Sequence, residues 1–115
     1  MKHKVSLEEA IEKLEQEKEF PFTVLIKHGT MSVEYFAPKE ADTQQPHLQD
    51  EIYVIASGKS VFFYGGKYVD CKQGDVLFVP AGIVHRFENF SEDFATWVIF
   101  YGVRGGEKSK SQTFF

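Results

Sequence analysis

The sequence predicts an all-β domain with one short helix at its N-terminus. Two observations carry that expectation. About eight short apolar runs follow one another with turn residues between them, the pattern of an antiparallel sandwich or barrel. The aromatic load is heavy, with twelve Phe, five Tyr and one Trp, and such side chains suit pleated, half-buried surfaces. At 115 residues the chain is long enough for one domain with a real core. We divide it into a helical segment over 1–20, a barrel over 21–103 and a flexible tail over 104–115.

The helix is read from "SLEEAIEKLEQ". Ser6 can cap it and Glu9 can close a capping box. Leu7, Ala10, Ile11 and Leu14 recur at helical spacing and form one apolar stripe. Pro21 closes the segment. "FTVLIKH" and "MSVEYFA" then read as strands joined at Gly29-Thr30. "EIYVIAS" stops at Gly58, and "SVFFY" meets "KYVDC" across Gly65-Gly66, a two-residue hairpin signal. "DVLFV" ends at Pro80, "VHRFENF" follows Gly82, and "FATWVIFY" is the last strand. No second helical period of useful length appears, so crossover helices between parallel strands are not expected. The tail "VRGGEKSKSQTFF" is rich in Gly, Lys and Ser and reads as loose.

Composition excludes several function classes. The net charge is -4 and no basic patch stands out, which argues against nucleic acid. No apolar run approaches membrane-spanning length and the N-terminus lacks a signal peptide's apolar region, so a cytoplasmic protein with no membrane partner is expected. The single cysteine, Cys71, has no intramolecular disulfide partner and reads as a small buried hydrophobe.

The chemistry gathers around "QPHLQDE". In an extended segment, side chains at even offsets share a face. Gln45, His47, Gln49 and Glu51 then point one way, and Asp50 points the other, where a loop backbone can donate to it. An imidazole and a carboxylate on one face make two metal ligands or one acid–base pair. A polar rim, with Glu51 paired to Arg86 or a lysine, is a third reading. His85 is the first strongly polar residue after the Pro80-Ala81-Gly82 bend, which re-aims the chain towards a barrel mouth. Tyr53 shares parity with Glu51, and Phe87 with His85, so both are expected as walls of a ligand pocket.

These residues carry a resemblance. "QPHLQDEIYVIASG" and "GDVLFVPAGIVHRFEN" resemble the two motifs of the cupin superfamily, G-x5-H-x-H-x3,4-E-x6-G and G-x5-P-x-G-x2-H-x3-N. The second motif is matched at Gly74, Pro80, Gly82, His85 and Asn89. The first is matched at His47, Glu51 and Gly58, and departs at Lys39, where a glycine is expected, and at Gln45, where a histidine is expected. The resemblance implies a double-stranded β-helix, or jelly-roll barrel, holding one divalent metal ion, with Fe, Mn, Ni and Zn all open. His47, Glu51 and His85 would be the ligands and Gln45 an accessory fourth. Two imidazoles and a carboxylate with open positions also suit non-haem Fe(II).

The function expected is binding of, or action on, a small organic molecule. Dioxygenase-like oxidoreductase, isomerase and lyase chemistry all remain open, and a non-catalytic ligand-binding or metal-free structural barrel is the alternative. Sheet edges and the apolar helix stripe point to a homodimer, as does the resemblance.

Overall fold

The computed structural model describes residues 3–108. Its elements are α1 (Leu7–Gln16), β1 (Phe22–His28), β2 (Met31–Phe36), β3 (Asp50–Ser57), β4 (Lys59–Tyr64), β5 (Lys67–Lys72), β6 (Val76–Val79), β7 (His85–Glu88) and β8 (Ala95–Tyr101). The eight strands fall in the eight apolar runs expected. All strand pairs are antiparallel: one sheet runs β1-β2-β8-β3-β6, the other β5-β4-β7.

The two sheets face each other, and strand alternation sorts their side chains. Phe36, Tyr53, Ile55, Val79 and Val98 of the larger sheet meet Phe62, Cys71 and Phe87 of the smaller one, with Phe94 from the loop before β8. Tyr53, Phe62 and Phe87 pack edge-on or tilted, with ring centroids 4.8–5.7 Å apart. Such contacts add to what area burial already supplies.

The helix covers part of the other face of the larger sheet. Ser6 caps it: its Oγ accepts from Glu9 N at 3.1 Å, and its own N–H donates to Glu9 Oε1 at 3.3 Å. Ala10 is fully buried against Tyr35 and Ala95, with Val5, Leu14, Leu25 and Trp97 around them. Lys13 Nζ donates to Val24 O at 2.6 Å and pins the helix to β1 beside the bulge between Val24 and Ile26. No helix is long and apolar enough to cross a membrane among the described residues.

Two details position the site. Asp50 points away from the barrel interior: its Oδ1 accepts from Ala81 N at 2.9 Å and its Oδ2 from Glu107 N at 2.8 Å. One carboxylate thus ties the start of β3 to the bend before His85 and to the segment after β8. Gly105 N also donates to Leu48 O at 2.6 Å. Gly105 and Glu107 of the expected tail are therefore tied back to the barrel, while 109–115 lie outside the described residues.

At Gly58, between β3 and β4, the chain adopts φ +73°. A Cβ there would stand 2.4 Å from Ser91 Oγ and 2.8 Å from Phe94 Cα. The left-handed backbone and the close main chain both demand glycine. Gly58→Ala is expected to cost about 2–4 kcal/mol, read from denaturant unfolding.

Candidate metal centre

Glu51 stands on β3 of the larger sheet and His85 opens β7 of the smaller one, so sheet packing sets the carboxylate opposite the imidazole. His47 arrives from the loop that leads into β3. His85 Nε2 lies 2.8 Å from Glu51 Oε1, and His47 Nε2 lies 3.7 Å from the same oxygen. One ligand atom from each of the three lies within 4.8 Å of the others. The imidazole rings are tilted, with centroids 5.2 Å apart, and His47 also meets Phe100 edge-on at 4.9 Å.

The hydrogen bonds show what this cluster lacks. His85 Nδ1 lies 2.8 Å from Ile83 O. A carbonyl only accepts, so Nδ1 carries the proton and neutral His85 turns a lone pair at Nε2 towards Glu51. Both Glu51 oxygens are buried without a hydrogen-bond donor, and no other buried side-chain oxygen or nitrogen among the described residues is left so. The Glu51 side chain is 1% exposed. An unpaired buried carboxylate costs several kcal/mol. Converging lone pairs around a buried negative charge fit a divalent cation, and His47, Glu51 and His85 are the residues that would hold it.

Titration follows from the same surroundings. Burial lowers the pKa of His85, but the bond that a protonated Nε2 would donate to Glu51, the Ile83 carbonyl and Glu51's charge raise it by more, so it ends above 6.5. His47 ends below 6.5: burial lowers it more than Glu51 raises it. Burial, then the charges of Glu51 and Asp42, holds the Tyr53 hydroxyl well above its ordinary range.

The cavity beside the cluster measures about 300 Å³ and includes Phe22, Glu34, Phe36, Val98 and Phe100 in its walls. Tyr53 is also in its wall, and its hydroxyl sits 3.1 Å from His85 Nε2. Phe87, expected as a second wall, does not line it. It shares the inward face with His85 but lies two residues further along the strand, where it supports Tyr53 at 4.9 Å within the core. A broader recess of about 580 Å³ adjoins at Glu34, His47 and Phe100 and reaches Lys27, Thr30 and Gln49. A separate recess of about 500 Å³, near Lys59, Asp70, Cys71 and Asn89, contains no member of the cluster. Burial pushes the Cys71 thiol there up to about 11, which leaves it un-ionised at neutral pH.

Gln45 requires a correction. It is exposed and does not line the cavity; the amide that reaches the cluster belongs to Gln44. Even-offset alternation presumes a strand, and the strand begins only at Asp50. Residues 42–44 instead form an Asx turn, in which Asp42 Oδ1 accepts from Gln44 N at 3.1 Å. The short spacing Asp-x-Gln in "ADTQQP" is the signal that points to it. Pairing of Glu51 with Arg86 is also absent. Arg86 Nε donates to Glu88 Oε2 at 2.6 Å, and its guanidinium lies over the Phe63 ring at 4.3 Å.

Comparison with known proteins decides the family. The cupin domain profile matches residues 32–101, from the second residue of β2 to the end of β8, with all three clustered side chains inside it. The chain belongs to the cupin family. An uncharacterised protein of Streptomyces coelicolor is 36% identical over 77 residues, covering 65% of this chain and 73% of that one. Among solved structures, a cupin 2 conserved barrel domain protein from Salinispora arenicola superposes with a TM-score of 0.61 at 17% identity, covering 75% of this chain and 78% of that one. A Photorhabdus luminescens protein gives a TM-score of 0.63 at 15% identity, with 89% and 88% covered. At these identities the structural likeness carries the jelly-roll fold and nothing finer.

In this cupin without metal, the two histidines titrate on opposite sides of 6.5. A raised native pKa makes His85's contribution to stability present below 6.5 and lost as pH rises through the native value. His47 runs the other way: its contribution is present above 6.5 and lost as pH falls through the depressed value. Side-chain NMR titration of metal-free protein is expected to show His85 as the higher of the two.

Proposed function

We propose that this cupin binds one divalent metal ion through His47, Glu51 and His85 and uses it on a small organic molecule held in the adjoining cavity. The observation that carries this reading is the Glu51 carboxylate, buried between two imidazoles with no donor to either oxygen. When bound, the cation supplies Lewis acidity, or an oxygen-binding centre if it is redox-active. Dioxygenase-like oxidation and isomerisation are the reaction classes this supports.

The chain's own residues set the remaining conditions. Phe22, Phe36, Val98 and Phe100 give the cavity apolar walls, and its volume of about 300 Å³ restricts the ligand to a small molecule. Glu34 faces both the cavity and the outer recess. Burial, and secondarily the charge of Glu51, holds its carboxyl above the ordinary range despite a hydrogen bond from Ser32. Glu34 is therefore the group suited to give a proton to the ligand or take one from it. Tyr53 stays protonated and can donate. In this reading the protein works in the cytoplasm, where Cys71 remains a thiol.

Purified protein is expected to carry about one metal ion per chain by elemental analysis. His85→Ala removes it, because the buried carboxylate then faces a single, partly exposed imidazole. Metal content unchanged in His85→Ala would refute the assignment.

The homodimer has its own support. The helix leaves part of the larger sheet's outer face uncovered, and there Ile52 stands beside Phe78 and Ile99, with Val54 beside Val76. Phe78 is 52% exposed and Val76 64%, and both lie on β6, the edge of the sheet. An apolar patch that continues to an unpaired edge suits a two-fold contact in which it meets itself. Light scattering behind size exclusion is expected to give twice the chain mass, and Phe78→Glu is expected to give the monomer with its metal content intact.

A further inference from the structure

Gln44 brings a fourth donor to the cluster, and its orientation is fixed from behind. Gln44 Nε2 donates to Asp42 Oδ2 at 2.6 Å. The same carboxylate oxygen accepts from Phe87 N at 2.8 Å, which anchors Asp42 to β7. A carboxylate only accepts, so it must face the nitrogen of the amide and not the oxygen. Oε1 is thereby turned inward. It lies 3.0 Å from His47 Nε2, 3.1 Å from His85 Nε2 and 3.0 Å from the Tyr53 hydroxyl. Tyr53 has one proton to give, and an amide oxygen has two lone pairs. One lone pair can take the tyrosine proton, and the other is left facing the imidazole nitrogens that flank Glu51.

We infer that Gln44 Oε1 is the fourth protein ligand of the metal and that Asp42 is the positioning residue that keeps oxygen, rather than nitrogen, turned to it. This rests on the metal reading of His47, Glu51 and His85. The donor set is then two imidazole nitrogens and two oxygens. An oxygen in place of a third imidazole hardens the site and tilts its selectivity towards Mn(II) or Fe(II) and away from Ni(II), Cu(II) and Zn(II). Asp42 acts through the amide, as outer partners of metal ligands do, and losing such a partner costs about 10–100-fold in affinity.

The test uses full-length protein stripped of metal and titrated with Mn(II), Zn(II) and Co(II). Gln44→Leu is expected to weaken Mn(II) binding by about tenfold or more. It is also expected to lower the ratio of Mn(II) to Zn(II) affinity and to change the visible absorption of the Co(II) form. Gln44→His is expected to move the ratio further towards Zn(II). Asp42→Asn, with one acceptor oxygen in place of two, is expected to shift the same ratio and the same Co(II) spectrum, which a merely structural role would not do. A folded Gln44→Leu protein with wild-type Mn(II) affinity and an unaltered Co(II) spectrum overturns the inference. Should that variant not fold, the wild-type chain labelled with 15N-glutamine decides: a Gln44 side-chain amide signal unmoved by Zn(II) loading overturns it equally. Failure of the underlying metal reading looks different. Wild type and His85→Ala then both bind none of the three ions, and the inference falls with it. Binding in wild type, loss in His85→Ala and retention in Gln44→Leu removes Gln44 alone.

Discussion

A carboxylate sealed inside a barrel without a donor is the constraint on which this structure turns. Glu51 lies on the inward face of β3 between two imidazole nitrogens, and the amide oxygen of Gln44 and the phenol of Tyr53 stand against His85 Nε2 beside it. Burying an ion without a partner costs several kcal/mol, a large part of the net stability of a domain this size. The rest of the fold must supply that energy and hold the donors in place. The aromatic core beneath the site does both: Phe62 and Phe87 pack against Tyr53, with Phe94 behind Phe87, and leave the cluster no room to relax inward.

Two aspartates do the corresponding work in the loops. Asp50 faces outward from β3 and binds the main chain at Ala81 and Glu107, which sets the bend that delivers His85. Asp42 binds the main chain at Phe87 and both nitrogens of Gln44. Each joins segments far apart in sequence through charge-assisted bonds to N–H groups, stronger than neutral ones. The site is thus assembled by strands and trimmed by loops whose freedom these carboxylates remove.

Local signals were legible and distant ones were not. Ser6 and Glu9 announce the helix start because a capping box is complete within four residues. Gly65-Gly66 announces a hairpin for the same reason, and β4 and β5 pair there in register. Motif spacing pointed to His47, Glu51 and His85, and barrel closure brings them together. Strand order was not legible, since β8 pairs with β2 and β3, both far from it along the chain. Gln44 escaped because alternation was extended into a loop that turns on Asp42. Phe87 was assigned to the correct face at the wrong depth: two residues along a strand is about 6.6–6.8 Å, enough to pass from the cluster to the core. Tyr53 makes the same step from Glu51, yet its long side chain returns the hydroxyl to the site.

A proton and a metal ion would answer the demand of Glu51 differently. Protonation of His85 gives Nε2 a hydrogen to donate, and Oε1 at 2.8 Å can receive it. Oε2 still lacks a donor, and the cost of its burial remains. A proton placed on His47 must work in a half-exposed ring, 3.7 Å from the carboxylate, where burial already disfavours the charged form. A divalent cation has no such limit of one bond per charge. The carboxylate, both imidazole nitrogens and, by our inference, the amide oxygen would jointly hold it, so that acceptors which repel one another would share one positive charge. The lone pair that His85 presents when Nδ1 donates to Ile83 is the form a metal requires. The same tautomer is a liability with no cation present, so the Ile83 carbonyl favours the form that would suit a cation at the expense of the metal-free state.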